Sequence, residues 1–129
     1  MLRLWHEYLI PVIDRQRLLS QHRECCALRG NGWGRKHSTV DYAFKYPMEY
    51  LVAYHYKVMN EMQRRGYKPN EVWYSADYRG KECLPQEMDV AIIQKAFFSK
   101  PVYPEHDRAY LRECLEILAE KGAELLNID

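Results

Sequence analysis

The sequence predicts an all-α, mainly helical fold in a single compact domain over residues 1–129, with about three to four main helices and an ordered, aromatic-rich loop. Three stretches carry that expectation: residues 14–29, 47–65 and 105–125 each repeat apolar side chains at helical spacing. Length agrees, because one core suffices for 129 residues, within the usual range of roughly 100–200 residues per domain. At 47% hydrophobic and 29% charged residues the composition is that of an ordinary globular protein, not of a disordered or fibrous chain.

From Asp14 to about Arg29 there is no Gly or Pro, and Leu18, His22, Cys25, Cys26 and Arg29 recur at helical spacing. The run Gly30-Asn31-Gly32-Trp33-Gly34 supplies residues that accept positive φ and predicts a tight connection closing this first helix. Pro47 suits a first helical position, and Leu51, Tyr54, His55, Val58, Met59 and Met62 extend an amphipathic stripe until Gly66 stops it. Residues 67–86 are rich in turn formers and aromatics without sustained periodicity, which predicts an ordered surface loop with short helical turns. Val90 to Phe98 is too short for periodicity to separate a buried helix from a strand; helix is the favoured reading. After Pro104, Tyr110, Leu111, Cys114, Leu115, Leu118 and Leu125 mark a last helix with an acidic outer face. There is no internal repeat.

Several function classes are disfavoured. Arg3, His6 and Glu7 interrupt the N-terminal apolar residues before a signal peptide or a span of ~20 apolar residues can form, so no membrane partner and a cytoplasmic location are expected, nucleoid-associated if the chain binds DNA. Cys25, Cys26, Cys83 and Cys114 form no CxxC pair, and reduced, buried, inert thiols are expected. His6, His22, His37, His55 and His106 show no HxxxH or HExxH spacing, and no P-loop or GxGxxG occurs, so neither a metal nor another cofactor is expected. Net charge is only +1, but it is unevenly spread. Residues 1–38 carry seven arginines and lysines against three carboxylates, and residues 100–129 carry four against seven. One end of the chain can face phosphate while the other faces solvent.

On the first helix Gln16, Ser20, Arg23 and Ala27 are separated by four, three and four residues, and Glu24 lies beside Ser20 and Ala27 by the same geometry. They share one polar edge. A carboxylate beside an arginine and small neighbours suits a catalytic surface, since small side chains admit a substrate and the cation tunes the acid. The same spacing also suits a solvated face with local ion pairing, and spacing alone does not choose. Trp5, Trp33, Trp73 and the eleven tyrosines are core formers that can also stack on unpaired bases. Trp33, flanked by glycines next to a basic triplet, is a candidate wedge.

In Gln16-Arg17-Leu18-Leu19-Ser20-Gln21-His22-Arg23-Glu24, the Gln, the first Leu and the Arg-Glu pair resemble the catalytic first helix of the endonuclease V family of pyrimidine-dimer DNA glycosylases. Arg3 stands where that family has an arginine next to its N-terminal residue. Arg35-Lys36-His37 resembles the family's Arg-Lys-His after the first helix, offset by a small insertion that includes the Gly30 to Gly34 loop, and Arg65-Gly66-Tyr67 resembles the end of its next long helix. The resemblance covers roughly residues 1–70 and is thin beyond. The stretches RLWHEYLIP and LRGNGWGRKH are also similar to a bacterial branch grouped with these glycosylases.

The resemblance implies base excision from damaged or abasic double-stranded DNA, with an associated lyase step. An α-amine has a pKa near 7.7–8.0, so roughly 15% of it is unprotonated at pH 7, against well under ~0.1% of a lysine amine. In the family the N-terminal amine attacks the sugar C1′, expels the base and leaves a Schiff base whose β-elimination nicks the strand. By that resemblance Met1, or Leu2 once Met1 is removed, supplies the amine and Glu24 stabilises the developing positive charge and assists proton transfer. Arg3 and Arg23 then bind phosphate, Gln16 contacts the displaced nucleotide or opposite strand, and Arg35, Lys36 and His37 grip the backbone. The sequence departs from the family where its mature N-terminus is a threonine exposed by loss of methionine. Leu2 is bulky, Met1 is expected to be retained, and the aromatic C-terminal tail of the family is missing from the acidic, leucine-rich end. Two further readings stay open: a non-enzymatic nucleic-acid-binding or protein-interaction domain on the same fold, and a hydrolase acting through Glu24 without a Schiff base.

Overall fold

The structure, a computed structural model, describes residues 3–126. Met1 and Leu2, both expected at the reaction centre, lie outside the described residues. Four helices follow one another: α1 (Arg15–Arg29), α2 (Met48–Arg64), α3 (Val90–Phe98) and α4 (Arg108–Glu120). Short 3-10 turns stand at Glu7–Leu9, Asp41–Lys45 and Glu71–Tyr74, and no strand occurs among the described residues. The fold is all-α, and Val90–Phe98 is a helix.

Each start has a local cause. The Asp14, Asp89 and Asp107 carboxylates accept the N–H groups of Arg17, Ala91 with Ile92, and Tyr110, satisfying donors that the first turn leaves free. Pro47 sits one residue outside α2, not at its first helical position: its ψ of 151° is extended, and its carbonyl accepts the Tyr50 N–H at 3.0 Å. α2 and α4 stop where Gly66 (φ +88°) and Gly122 (φ +69°) turn left-handed. The last helix is therefore shorter than its apolar spacing suggests. Leu125 falls outside it and is exposed, and the tail is tied down by the Leu126 N–H on the Val12 carbonyl at 2.7 Å.

α2 is the central element, packed against α1 on one side and α3 on the other. Leu51, Val52, Tyr54, His55, Val58, Met59 and Met62 bury one broad face of it and Ala53 is buried as well, while Asn60, Gln63 and Arg64 on the opposite face are exposed. α1 buries Leu18, Gln21, Cys25, Leu28 and Arg29. That stripe differs from the expected one, since His22 and Cys26 are only half-buried and Gln21 takes an inward place. Of the four cysteines Cys25 and Cys114 are buried, Cys26 and Cys83 only half-buried, and all are free thiols. α4 closes the molecule over a layer of rings formed by Tyr42, Tyr54, Tyr103, Tyr110 and His106. His106 Nδ1 accepts the Glu7 N–H at 3.0 Å, so Nε2 carries the proton facing the Tyr42 hydroxyl at 2.6 Å. Burial, with repulsion from His6, pushes His106 down to about 3, which keeps this interior ring neutral.

The glycine connection works differently from its reading in the sequence. Among its glycines only Gly34 has positive φ, at +78°. Gly30 and Gly32 are needed for close approach: a Cβ would lie 2.8 Å from the Arg79 carbonyl oxygen at the first and 2.8 Å from that of Ala27 at the second. The 67–86 stretch is a loop with one 3-10 turn, as expected, yet it is anchored inward. The fully buried Arg29 guanidinium donates to the carbonyls of Trp73, Ser75 and Tyr78 at 2.9, 2.9 and 3.1 Å and lies 5.1 Å from the centre of the Trp73 ring.

Candidate active site

The segment before the first 3-10 turn is hydrogen-bonded to side chains of α1 through Arg3 and Trp5, and their junction holds Glu24. Its Oε2 accepts the Arg3 backbone N–H at 3.3 Å and the Gln21 side-chain N–H at 3.0 Å. A cavity of about 280 Å³ opens beside it, lined by Arg3, Trp5, Gln16, Arg17, Ser20, Glu24, Ile117 and Lys121. Helical spacing explains three of these: Gln16, Ser20 and Glu24 stand four residues apart, stacked along one face of α1. Burial raises the Glu24 carboxyl above its ordinary value against the pull of the Arg3 N–H, Gln21 and the Arg23 charge, which favour the anion. The result is a carboxyl at the wall of a polar cavity, hydrogen-bonded to the backbone of Arg3.

The expected residues divide into two groups. Arg3, Gln16 and Glu24 come together at the cavity. Arg23 is exposed beside it, with a guanidinium N–H on the Ser20 hydroxyl at 2.9 Å. Arg3 directs its guanidinium to Glu113 of α4 at 2.8 Å and to the Tyr110 hydroxyl at 3.4 Å. Trp33, Arg35, Lys36 and His37 do not line the cavity. Trp33 is half-buried with its ring edge-on to Phe44, centroids 5.0 Å apart, so it is part of the packing. Arg35 and Lys36 are exposed, Arg35 donating to the Asn31 carbonyl at 2.8 Å, and His37 is held by Asp41 and Thr39. Ala27 leaves the expected polar edge and borders a separate depression with Gly30, Gly32 and Trp73.

Sequence reasoning missed Arg17, Ile117 and Lys121 on the cavity wall and Gln21 behind it. The two α4-side residues arrive by tertiary packing and have no local signal. Gln21 did have one: it stands three residues before Glu24, so the two share a face.

A second polar cluster joins α1 to α2. His22 Nδ1 lies 2.8 Å from His55 Nε2, and the Cys26 sulfur is 3.9 Å from both atoms. The set has the donor types of a thiophilic cation site. Its hydrogen bonding opposes that use. Arg29 Nη1, always a donor, stands 3.0 Å from His55 Nδ1, so Nδ1 presents its lone pair there and Nε2 carries the proton toward His22. Metal-bound imidazoles need the reverse, a lone pair toward the ion and an N–H toward an acceptor. Burial, with the Arg29 charge, holds His55 well below its ordinary value, and burial pushes the Cys26 thiol up to about 12. The cluster fits a relay of neutral groups clamped by Arg29.

Among the described residues no helix is long and apolar enough to cross a membrane. No curated protein and no solved structure matches the chain. The family model described as pyrimidine dimer DNA glycosylase matches residues 2–75, more than half the chain, and that span holds Arg3, Gln16, Arg23, Glu24 and the whole of α1 and α2. The chain therefore belongs to the pyrimidine dimer DNA glycosylase family.

Proposed function

We propose that this protein is a base-excision DNA glycosylase with an associated abasic-site lyase activity, using the α-amine of its N-terminus and the carboxylate of Glu24. The observation that carries this reading is the contact between Glu24 Oε2 and the Arg3 backbone N–H at 3.3 Å, on the wall of the polar cavity. A residue advances the chain by at most ~3.6 Å, so an amine one or two residues before Arg3 is within about 4–7 Å of that nitrogen. The amine is that of Met1, or of Leu2 once Met1 is removed.

In the reaction the amine lone pair forms a bond to the sugar C1′ as the C1′–base bond breaks and the base departs with a proton. Opening of the sugar ring gives a Schiff base. Loss of a C2′ proton then expels the 3′-phosphate and cuts the strand. Glu24 as anion stabilises positive charge at C1′ and accepts the amine proton, which a carboxylate with a raised pKa holds more readily than an ordinary one. Gln16, Ser20, Arg17 and Lys121 surround the displaced nucleotide, and Arg23 holds phosphate at the cavity rim. Arg3 reaches phosphate by exchanging Glu113 for it. Arg35, Lys36 and His37 contact the duplex backbone away from the cavity, and Trp33 supports that segment from within.

Borohydride trapping on a duplex carrying one abasic site tests the reading. A covalent adduct is expected from the wild type, with none from Glu24→Gln or from protein with a blocked N-terminus. A duplex that binds without forming an adduct, or an adduct that survives blocking, contradicts it. Binding alone would leave a nucleic-acid-binding domain on the same fold.

A further inference from the structure

The side chain of Gln21 is fully buried, and all four of its hydrogen-bonding positions are in use. Nε2 donates to the Arg3 carbonyl at 2.8 Å and to Glu24 Oε2 at 3.0 Å; Oε1 accepts the Trp5 N–H at 2.7 Å and faces the Tyr54 hydroxyl at 2.8 Å. The amide cannot be turned over. Trp5 presents only an N–H and Arg3 only a carbonyl, so a flip would set donor against donor and acceptor against acceptor. It thus pairs with the 3–5 segment as a peptide group of a neighbouring strand would. Tyr54, from α2, fixes it from behind: its hydroxyl lies 2.6 Å from the Trp5 carbonyl and 2.8 Å from Oε1, sharing one proton between them.

The consequence reaches Glu24. Two N–H groups point at Oε2, from Arg3 and Gln21, so that oxygen is held as an acceptor and a proton on this carboxyl belongs on Oε1. Among the described residues no hydrogen bond engages Oε1. We infer that Gln21, locked by Tyr54, is a positioning residue for the reaction: it lashes the start of the chain to α1 and turns Glu24 so that Oε1 is the oxygen that exchanges protons with amine and substrate. This inference rests on the amine reading above, and its effect is on Glu24 and the 3–5 segment, not on contact with DNA.

The test measures three quantities on wild type, Gln21→Glu and Tyr54→Phe: the Glu24 carboxyl titration by carbon NMR, assigned with Glu24→Gln; the single-turnover trapping rate on an abasic duplex; and the affinity for that duplex. Gln21→Glu keeps an acceptor for the Trp5 N–H but sets a carboxyl against Glu24. It is expected to raise the Glu24 pKa and to slow trapping roughly ten- to a hundredfold, as removing a hydrogen bond to a charged group does. Affinity is expected to stay within about threefold, since Gln21 touches no DNA. Tyr54→Phe, which leaves Gln21 in place, is expected to move both quantities the same way by less, and it serves if Gln21→Glu does not fold. Folded variants with wild-type titration and rate overturn the inference, as does a slower rate matched by an equal drop in affinity. If the wild type forms no adduct although the Glu24 titration responds to Gln21→Glu, it is the amine reading that has failed, and the catalytic role of Gln21 falls with it.

Discussion

Glu24 is pulled two ways: burial favours its neutral form, while the Arg3 N–H, Gln21 and the Arg23 charge favour the anion. Burial prevails, so the carboxyl titrates above the ordinary value near 4.3. The proposed chemistry needs two unprotonated groups, this carboxylate and an amine of ordinary pKa near 7.7–8.0. The logarithm of the trapping rate is therefore expected to climb with slope two at low pH and slope one at higher pH, breaking above the ordinary carboxylate value. A stopped pH series on an abasic duplex reads that break, and a single slope throughout would show that Glu24 has no proton to lose in the reaction. The sign for stability is the opposite of that for activity. A carboxyl with a raised folded pKa binds protons better in the folded state, so its charge costs stability as pH rises past the unfolded value. Glu24→Gln is accordingly expected to keep or raise the melting temperature at neutral pH while removing activity.

At the scale of elements, the helices were legible because their causes are local: Asp14 and Gly66 mark ends, and apolar spacing marks the faces. What misled was also local. Helical spacing extended the last helix to Leu125, although Gly122 stops the backbone first, and it grouped His22 and Cys26 with the recurring positions of α1, where they are only half-buried while Gln21 is fully buried. The polar edge of Gln16, Ser20 and Glu24 was readable for the same reason, while Lys121 and Ile117 needed α4 to be packed in place. Arg29 shows the limit best. Its position on α1 gave no hint that a fully buried guanidinium would gather the carbonyls of the 73–78 loop. A lysine there cannot reproduce a planar fork of donors, so Arg29→Lys is expected to cost about 3 kcal/mol, in the range for breaking a buried charged network. Hydrogen exchange should then quicken across residues 71–79 and spare the centre of α2. Exchange unchanged in the loop would mean that Arg29 does not hold it.

For the whole molecule the near-zero net charge hides a basic N-terminal third and an acidic C-terminal helix face, and under the proposed function the basic third is the part that faces the duplex. Binding to duplex is expected to weaken linearly with the logarithm of salt concentration. Arg35→Ala with Lys36→Ala should reduce that slope by about 1–2, roughly 0.9 for each phosphate that is no longer neutralised. A slope that does not change would place the duplex elsewhere on the surface. Family membership and fold agree with DNA repair, but neither identifies the nucleophile. Mass-spectrometric mapping of the borohydride-reduced adduct does so most directly. The sugar remnant is expected on the α-nitrogen of the N-terminal peptide and nowhere else; a remnant on a lysine, or no adduct on protein that binds abasic duplex, would contradict the amine mechanism.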